Sequence, residues 1–408
     1  MKININYFLY NFIVLQIIVI FFIPKFGLTY YFFGFESPLK PEDLIWLISI
    51  PFAYFFFPRK INAVQLSLIF FLSCIGLSIF IHYTNIYLLI RVIFYSIPLI
   101  LIGYKLDSKQ LNSIIRIIKA FLIFLVIYGL VIRFIPLPYF HSSFFYFGTS
   151  DRFSGNFGNG AELSLAILLI VFILDYTKNL KNFYLIISTI IILLTGTRLI
   201  SIIILLFGVY KIFKSNKLFF KYLVISLIFI SSIYYGNIII DFFNENERFS
   251  TINFSLINDF KNVFFDFSNP INYKVLENEI GYCFNWADSL SGDQSFAMRL
   301  SKANFVINSV IIGSYPMGFG FGKCIGGAAD NLYIRLLNDG GIFLFFAFII
   351  MISVFYIKLK NIRKYIIVFI LISFFYDTLY FSRVSPLFFL LIYLSINIKN
   401  HSKKIKEF

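Results

Sequence analysis

The sequence predicts an all-α membrane protein: a polytopic bundle of about twelve transmembrane helices with one large external loop containing short helices. Three observations lead there. The 408 residues are 59% hydrophobic and only 13% charged, with mean hydropathy +0.84, whereas a soluble chain carries about 25% charged residues. The apolar residues fall in runs near the roughly 20 residues that cross about 30 Å of hydrocarbon. The alternation of apolar and polar residues expected of a β-barrel strand is absent.

The first apolar run, residues 7–24, is long enough to span, and no small-residue cleavage site follows it, so it reads as a helix and not as a leader. Further spans are expected at residues 44–57, 64–81, 86–104, 120–136, 161–174, 183–195, 199–213 and 222–240. Residues 241–317 then carry Asp, Glu, Asn, Lys and Arg at the density of a soluble protein. The last spans are expected at 342–357, 365–379 and 386–396. Several runs fall short of 20 residues, which implies tilt or interfacial ends. The organisation is one integrated membrane domain: residues 1–240 with nine helices, 241–341 as the large loop, and 342–408 with three helices and a tail. No repeat of 20–50 residues is visible, nor an inverted duplication of the transporter kind.

Net charge is +15, and its distribution orients the bundle. Arg59 and Lys60, Lys105 to Lys119, Lys178 and Lys181, Lys211 to Lys221, Lys358 to Lys364 and the C-terminal lysines all fall on one side of a twelve-span chain. The bias of Lys and Arg towards cytoplasmic loops makes that side cytoplasmic, with both termini there and the large loop external, which is periplasmic in a Gram-negative inner membrane. Removing any one span breaks the alternation. The basic residues are scattered over many short loops and form no stripe, so nucleic acid is not an expected partner.

The external side holds Arg133, Arg152, Arg198, Arg248, Arg299, Arg335 and Arg383, seven of the eleven arginines. Basic residues are disfavoured there, and guanidinium groups suit bidentate phosphate or carboxylate contact. The plainer alternative is snorkelling to headgroups or pairing with loop carboxylates.

Four segments stand out. Ser150-Asp151-Arg152-Phe153-Ser154-Gly155-Asn156-Phe157-Gly158-Asn159-Gly160-Ala161-Glu162 leads into the sixth span, with Gly and Asn suited to tight turns. Thr195-Gly196-Thr197-Arg198 joins two spans and holds Arg198 at the lipid–water boundary. From Met298 a helix is expected towards Ile312, with Arg299 and Lys302 on one face. Its apolar Val306, Val310, Ile311 and Ile312 suit the membrane surface. A Gly-rich turn, Tyr315-Pro316-Met317-Gly318-Phe319-Gly320-Phe321-Gly322, follows; without a Walker Lys-Ser/Thr it does not read as a nucleotide site. Last, residues 330–342 lead into the tenth span. On a helix Asp330 and Tyr333 share a face, as do Asn331 and Arg335. Asp330 can either orient an acceptor hydroxyl or cap the helix N-terminus. Within the spans, Arg91 and Asp377 are the charged residues expected at depth, facing a buried polar pocket.

Cys74 lies in a span as a packing residue, while Cys283 and Cys324 fall in the external loop, where an oxidising compartment permits a disulfide without the sequence deciding the pairing. No Cys/His cluster has zinc spacing and no Asp-x-Asp motif is present, so neither metal nor cofactor is expected.

These four segments, in this order, resemble the O-antigen polymerase (Wzy) and ligase superfamily of bacterial envelope glycosyltransferases. The resembling residues are Arg152-Phe153-Ser154-Gly155-Asn156-Phe157-Gly158-Asn159, Thr195-Gly196-Thr197-Arg198, Arg299 with Pro316-Met317-Gly318-Phe319-Gly320, and Asp330-Asn331 and Tyr333 with Asp339-Gly340-Gly341-Ile342. The likeness covers residues 150–345. It implies a GT-C-like transferase that joins undecaprenyl-diphosphate-linked oligosaccharide repeat units into O-antigen or a related surface polysaccharide. Implied partners are those lipid-linked oligosaccharides, membrane lipid and a chain-length regulator protein. Ligases of the superfamily, which transfer glycan to lipid A core, place a His in the fourth element; Asp330 stands there, which favours polymerase over ligase. The chain departs from the pattern at Gly160-Ala161, where the family often has Pro-Asn. The resemblance implies Arg198, Arg299 and Arg152 as diphosphate contacts, joined by Arg335 and Lys302. Asp330 would serve the acceptor hydroxyl, with Asn331 in substrate binding and Tyr333 stacking on a sugar ring. A transporter or flippase of lipid-linked sugars is the alternative from another class.

Overall fold

The computed structural model describes residues 5–23, 61–82, 107–134, 157, 160–195, 197–214, 294–321, 323–325, 331–381 and 383–405. Among them the fold is helical, with no strand. In chain order the helices are α1 (Ile5–Phe22), α2 (Ala63–His82), α3 (Ser108–Phe134), α4 (Gly160–Tyr176), α5 (Asn182–Leu194), α6 (Arg198–Lys214), α7 (Gln294–Ile307), α8 (Leu332–Lys358), α9 (Arg363–Ile372) and α10 (Ser385–Ile405). Three are long and apolar enough to cross a membrane: α2, α3 over Ser108–Tyr128, and α8. The protein is a helical membrane protein. The spans expected at 44–57, 86–104 and 222–240, and residues 241–293 of the loop, lie outside the described residues.

The core is built around α4. Every side chain from Glu162 to Leu174 is buried, so this helix, apolar nearly all round, sits inside the bundle and not at its lipid surface. Helices α5, α6 and α10 pack on it. Outward faces of α5 and α6 carry exposed Ile186, Ile190, Ile202, Leu205 and Leu206, as lipid contact requires. Helix α3 begins well before the expected span at residue 120; Lys119, inside it, reaches the Asn179 side chain at 3.0 Å, so its charge leaves the apolar layer along its own stem.

Helix α8 is two helices. Gly341 has φ +66° and ψ −157°, which ends one segment and starts another. In a straight helix Tyr333 and Phe348 lie about 22 Å apart along the axis. Their ring centroids are 5.9 Å apart, so residues 332–340 fold back along residues 342–358. The break has a sterically defined partner. A Cβ on Gly341 would lie 2.0 Å from the Pro316 carbonyl oxygen, and one on Gly318, at φ +77°, 2.5 Å from that of Asn338. Glycine at both positions lets the turn after α7 enter the break.

The eleventh expected span, 365–379, is corrected. Helix α9 stops at Ile372, and among the described residues 373–381 and 383–384 lie on no helix. No Gly or Pro forces this between Ser373 and Val384; the cause is tertiary, because the unwound stretch supplies acceptors to the start of α8.

Candidate functional site

The start of α8 is capped completely by protein. The Asn331 side-chain oxygen accepts from the amides of Tyr333 (2.9 Å) and Ile334 (3.2 Å). The Leu332 amide donates to the Ser373 carbonyl (2.8 Å) and the Asn331 amide to Asp377 Oδ1 (3.0 Å). The orphan donors of a helix first turn are thereby satisfied, and the Asp377 carboxylate sits at the positive end of the half-helix. The cap is Asn331 and not Asp330, which lies outside the described residues, as does Arg152.

One turn further on lies a buried charged cluster. Arg335 Nε donates to Asp339 Oδ2 at 2.7 Å, with the two side chains 3% and 0% exposed. The Arg335 guanidinium covers the Tyr380 ring at 4.8 Å, and the Tyr380 hydroxyl donates to Asp339. Asn338 Nδ2 donates to Asp339 Oδ1 (2.9 Å) and to the Lys323 carbonyl (3.0 Å). A charged pair at this depth persists because each carboxylate oxygen has a donor.

The break itself is satisfied from three directions. Phe319 and Gly320 donate their amides to the Asn338 carbonyl at 2.7 and 3.3 Å, and Ile342 donates to the Pro316 carbonyl at 3.0 Å. Ser78 Oγ of α2 donates to the Asp339 carbonyl at 2.5 Å. His82, at the end of α2, donates from Nε2 to the Met317 carbonyl at 3.0 Å. Helix α7 joins through Phe305, stacked on Phe319 at 5.2 Å. The third and fourth segments of the sequence reading thus form one unit with the end of α2.

The expected site residues divide. Arg299 is exposed on α7, whereas Lys302, one turn on, is buried. The continuation to Ile312 is helical, with Val306 and Val310 buried and Ile311 and Ile312 exposed. Arg335 is engaged with Asp339, and the Asn331 side-chain oxygen is engaged in capping. Tyr333 is a core aromatic and not an open sugar platform: its ring lies 4.3 Å from that of Phe374, and its hydroxyl donates to the Ile370 carbonyl at 3.0 Å. Arg198 opens α6; hydrogen bonds of the turn before it include Thr195 Oγ1 to Thr197 Oγ1 at 2.8 Å. The first segment meets α10: the Arg383 amide donates to Glu162 Oε1 (3.1 Å), and its guanidinium donates to the Ile20 and Ile23 carbonyls at the end of α1 (2.9 and 2.8 Å). Arg383 is therefore a latch between helices. Cys324 is disulfide-bonded, Cys74 is a free thiol, and Cys283 lies outside the described residues.

Asp339, Ser78 and His82 carry no site role in the sequence reading. The Arg335/Asp339 spacing of four is a signal that was available for the first; the other two join the site from α2, more than 230 residues away in the chain, and no local pattern announces them. At the opposite end of α4, Asp175 takes hydrogen bonds from Lys364 (3.0 Å), Lys211 and Tyr365. Burial pushes its carboxyl up, but these three donors together outweigh burial and hold it below the ordinary carboxylate range.

Fold and site together define a class: helical membrane proteins whose bundle encloses a broken helix braced by buried charges. No protein-family model matches the chain, and no curated protein is significantly similar to it in sequence.

Proposed function

We propose that the chain is a glycosyltransferase that polymerises undecaprenyl-diphosphate-linked oligosaccharide repeat units at the outer, periplasmic face of the bacterial inner membrane. One observation carries the reading. The glycines of two separate motifs of the resemblance, Gly318 and Gly341, are the residues whose missing side chains let those motifs interlock, so these motifs act as one unit. In the proposed reaction an acceptor-sugar hydroxyl attacks the anomeric carbon of the donor glycan. The bond from that carbon to the diphosphate oxygen breaks, the hydroxyl proton passes to Asp330, and undecaprenyl diphosphate leaves. Arg198, Arg299 and Arg152 stabilise charge on the departing diphosphate. Arg335 acts behind them by holding Asp339.

The test is reconstitution of the purified protein with purified lipid-linked repeat unit. A ladder of products differing by one repeat is expected, lost in Arg299→Ala and Arg198→Ala while both variants insert. Normal ladders from both variants would remove these residues from the mechanism.

A second reading, a transporter of lipid-linked sugars, draws on the buried Glu162, Arg335, Asp339, Asp377 and Arg383 together with the broken helix. It expects lipid-linked sugar to change leaflet in the same vesicles with no bond formed between repeats.

A further inference from the structure

The Asp175 end of α4 is charged and takes no part in the polymerisation chemistry. There one carboxylate holds two ammonium groups: Lys211 of α6 pairs with Asp175 Oδ1, and Lys364 of α9 with Oδ2 at 3.0 Å. The Tyr365 hydroxyl donates to the same Oδ2. The Asp175 side chain is 5% exposed, whereas those of Lys211 and Lys364 are 31% and 48% exposed, so the anion lies inside and the cations face out. Two ammonium groups on one carboxylate leave a positive charge in surplus. Each ammonium has three donors and spends one on Asp175. Aromatic rings fix where the cations stand. Lys364 Nζ lies 4.7 Å from the Tyr365 ring centroid and 5.7 Å from that of Tyr210, and Lys211 Nζ lies 5.9 Å from that of Phe207. Lys214, exposed at the edge of the pair, lies 5.9 Å from the Tyr210 ring.

The surface leading away from these cations is apolar. On α6, Ile202, Leu206 and Tyr210 are exposed at steps of four and lead to Lys214; on α9, Ile367 and Leu371 are exposed in line with Lys364. The contact of Lys364 with the Tyr210 ring brings the charged ends of the two stripes together. A free phosphate needs the cations alone. Apolar stripes that start from a pair of ammonium groups complement a molecule with an anionic head and hydrocarbon tails.

We propose that Lys211 and Lys364 form a binding site for the phosphate headgroup of an anionic membrane lipid, whose acyl chains lie along the exposed faces of α6 and α9. Asp175 holds the two ammonium groups side by side, so that one phosphate placed outside them meets both. The site stands independently of the reaction assigned to the broken helix.

The experiment follows Tm of the full-length protein in uncharged detergent micelles, titrated with phosphatidylglycerol, phosphatidylcholine or inorganic phosphate. A ligand that binds only the folded state raises Tm by mass action. Phosphatidylglycerol should raise Tm. Phosphatidylcholine, whose choline cancels the phosphate charge, and inorganic phosphate, which has no tails, should not. The phosphatidylglycerol concentration at half of the rise should increase about fivefold in Lys364→Gln, the attraction of one lysine near an anionic headgroup. The triple variant Lys211→Gln, Lys364→Gln, Asp175→Asn leaves no buried carboxylate without a cation, and in it the difference between the two lipids should be lost. Lys323→Gln removes the same charge at an exposed position beside the broken helix and should respond as wild type does. A purely structural role for the lysines would lower Tm equally in both lipids and leave that difference unmoved. A triple variant with the wild-type response overturns the proposal, as does an equal rise with phosphatidylcholine or with inorganic phosphate. An equal loss in Lys323→Gln overturns it too, since net charge alone would then explain the binding. If the triple variant does not fold, Lys364→Gln, in which Lys211 still pairs with Asp175, decides by its half-rise concentration: an unchanged value overturns the site.

Discussion

At the scale of single residues, the arginines separate into two kinds that composition does not distinguish. Arg335 and Arg383 are enclosed, whereas Arg299 is exposed. Removing Arg335 leaves a wholly buried carboxylate short of its ionic partner, so Arg335→Ala should cost about 3–5 kcal/mol, read as an earlier loss of monodisperse protein on heating in detergent. Arg335→Met with Asp339→Asn should recover much of it. Arg299→Ala, at an exposed position, should shift the melting curve less than Arg335→Ala does while ending polymer formation. Asp175 gives a pH test. Its folded-state carboxyl is held below the ordinary value, so it stabilises the fold above about pH 4 and that contribution fades as pH falls through the lower, folded value. Asp175→Asn should therefore lower Tm at pH 7, and the gap from wild type should close on acidification. The clustering of arginine in the connections expected to be external was plain from the sequence. Which of them are buried was not, because burial of Arg335 and Arg383 depends on Tyr380, Phe157 and the end of α1, all brought near by the fold.

At the scale of elements, the long apolar runs announced themselves. Helices α1, α2, α4, α5, α6 and α10 stand where hydropathy puts them, since a run of apolar residues in lipid has few options besides helix. The two failures have one cause. The sequence pattern carries α8 as a plain span from 342 and α9 on to 379, yet residues 332–340 fold back and take their capping from the unwound end of α9. Such an exchange of backbone partners between remote segments leaves no period in either. Gly341 marks the break, and the Gly340-Gly341 pair is its only local sign. Gly341→Ala meets both a positive φ and a carbonyl oxygen at 2.0 Å, so it should unfold the site and abolish product. Gly76→Ala and Gly208→Ala, in α2 and α6 with nothing within 4 Å, should be neutral or stabilising by up to about 1 kcal/mol. Equal damage from all three would mean that the break is not where glycine matters.

At the scale of the whole molecule, α4 serves as a ruler. Its two acidic residues, Glu162 and Asp175, are thirteen positions apart and so about 20 Å apart along the axis. Around Glu162 gather Arg383 and the end of α1; around Asp175 gather Lys211 and Lys364. The fold thus sorts these basic residues to opposite ends of α4. The disulfide-bonded Cys324 adjoins Lys323, whose carbonyl accepts from Asn338 in the broken helix. Orientation then becomes measurable. In a Cys74→Ser background, Lys323→Cys, exposed next to the Asn338 contact, should react with a membrane-impermeant maleimide added to cells whose outer membrane has been opened. Lys364→Cys, exposed at the Asp175 end, should react only after the inner membrane is broken. The opposite pattern would put the broken helix in the cytosol, away from any lipid-linked glycan already moved outward, and polymerisation at that site would have no substrate.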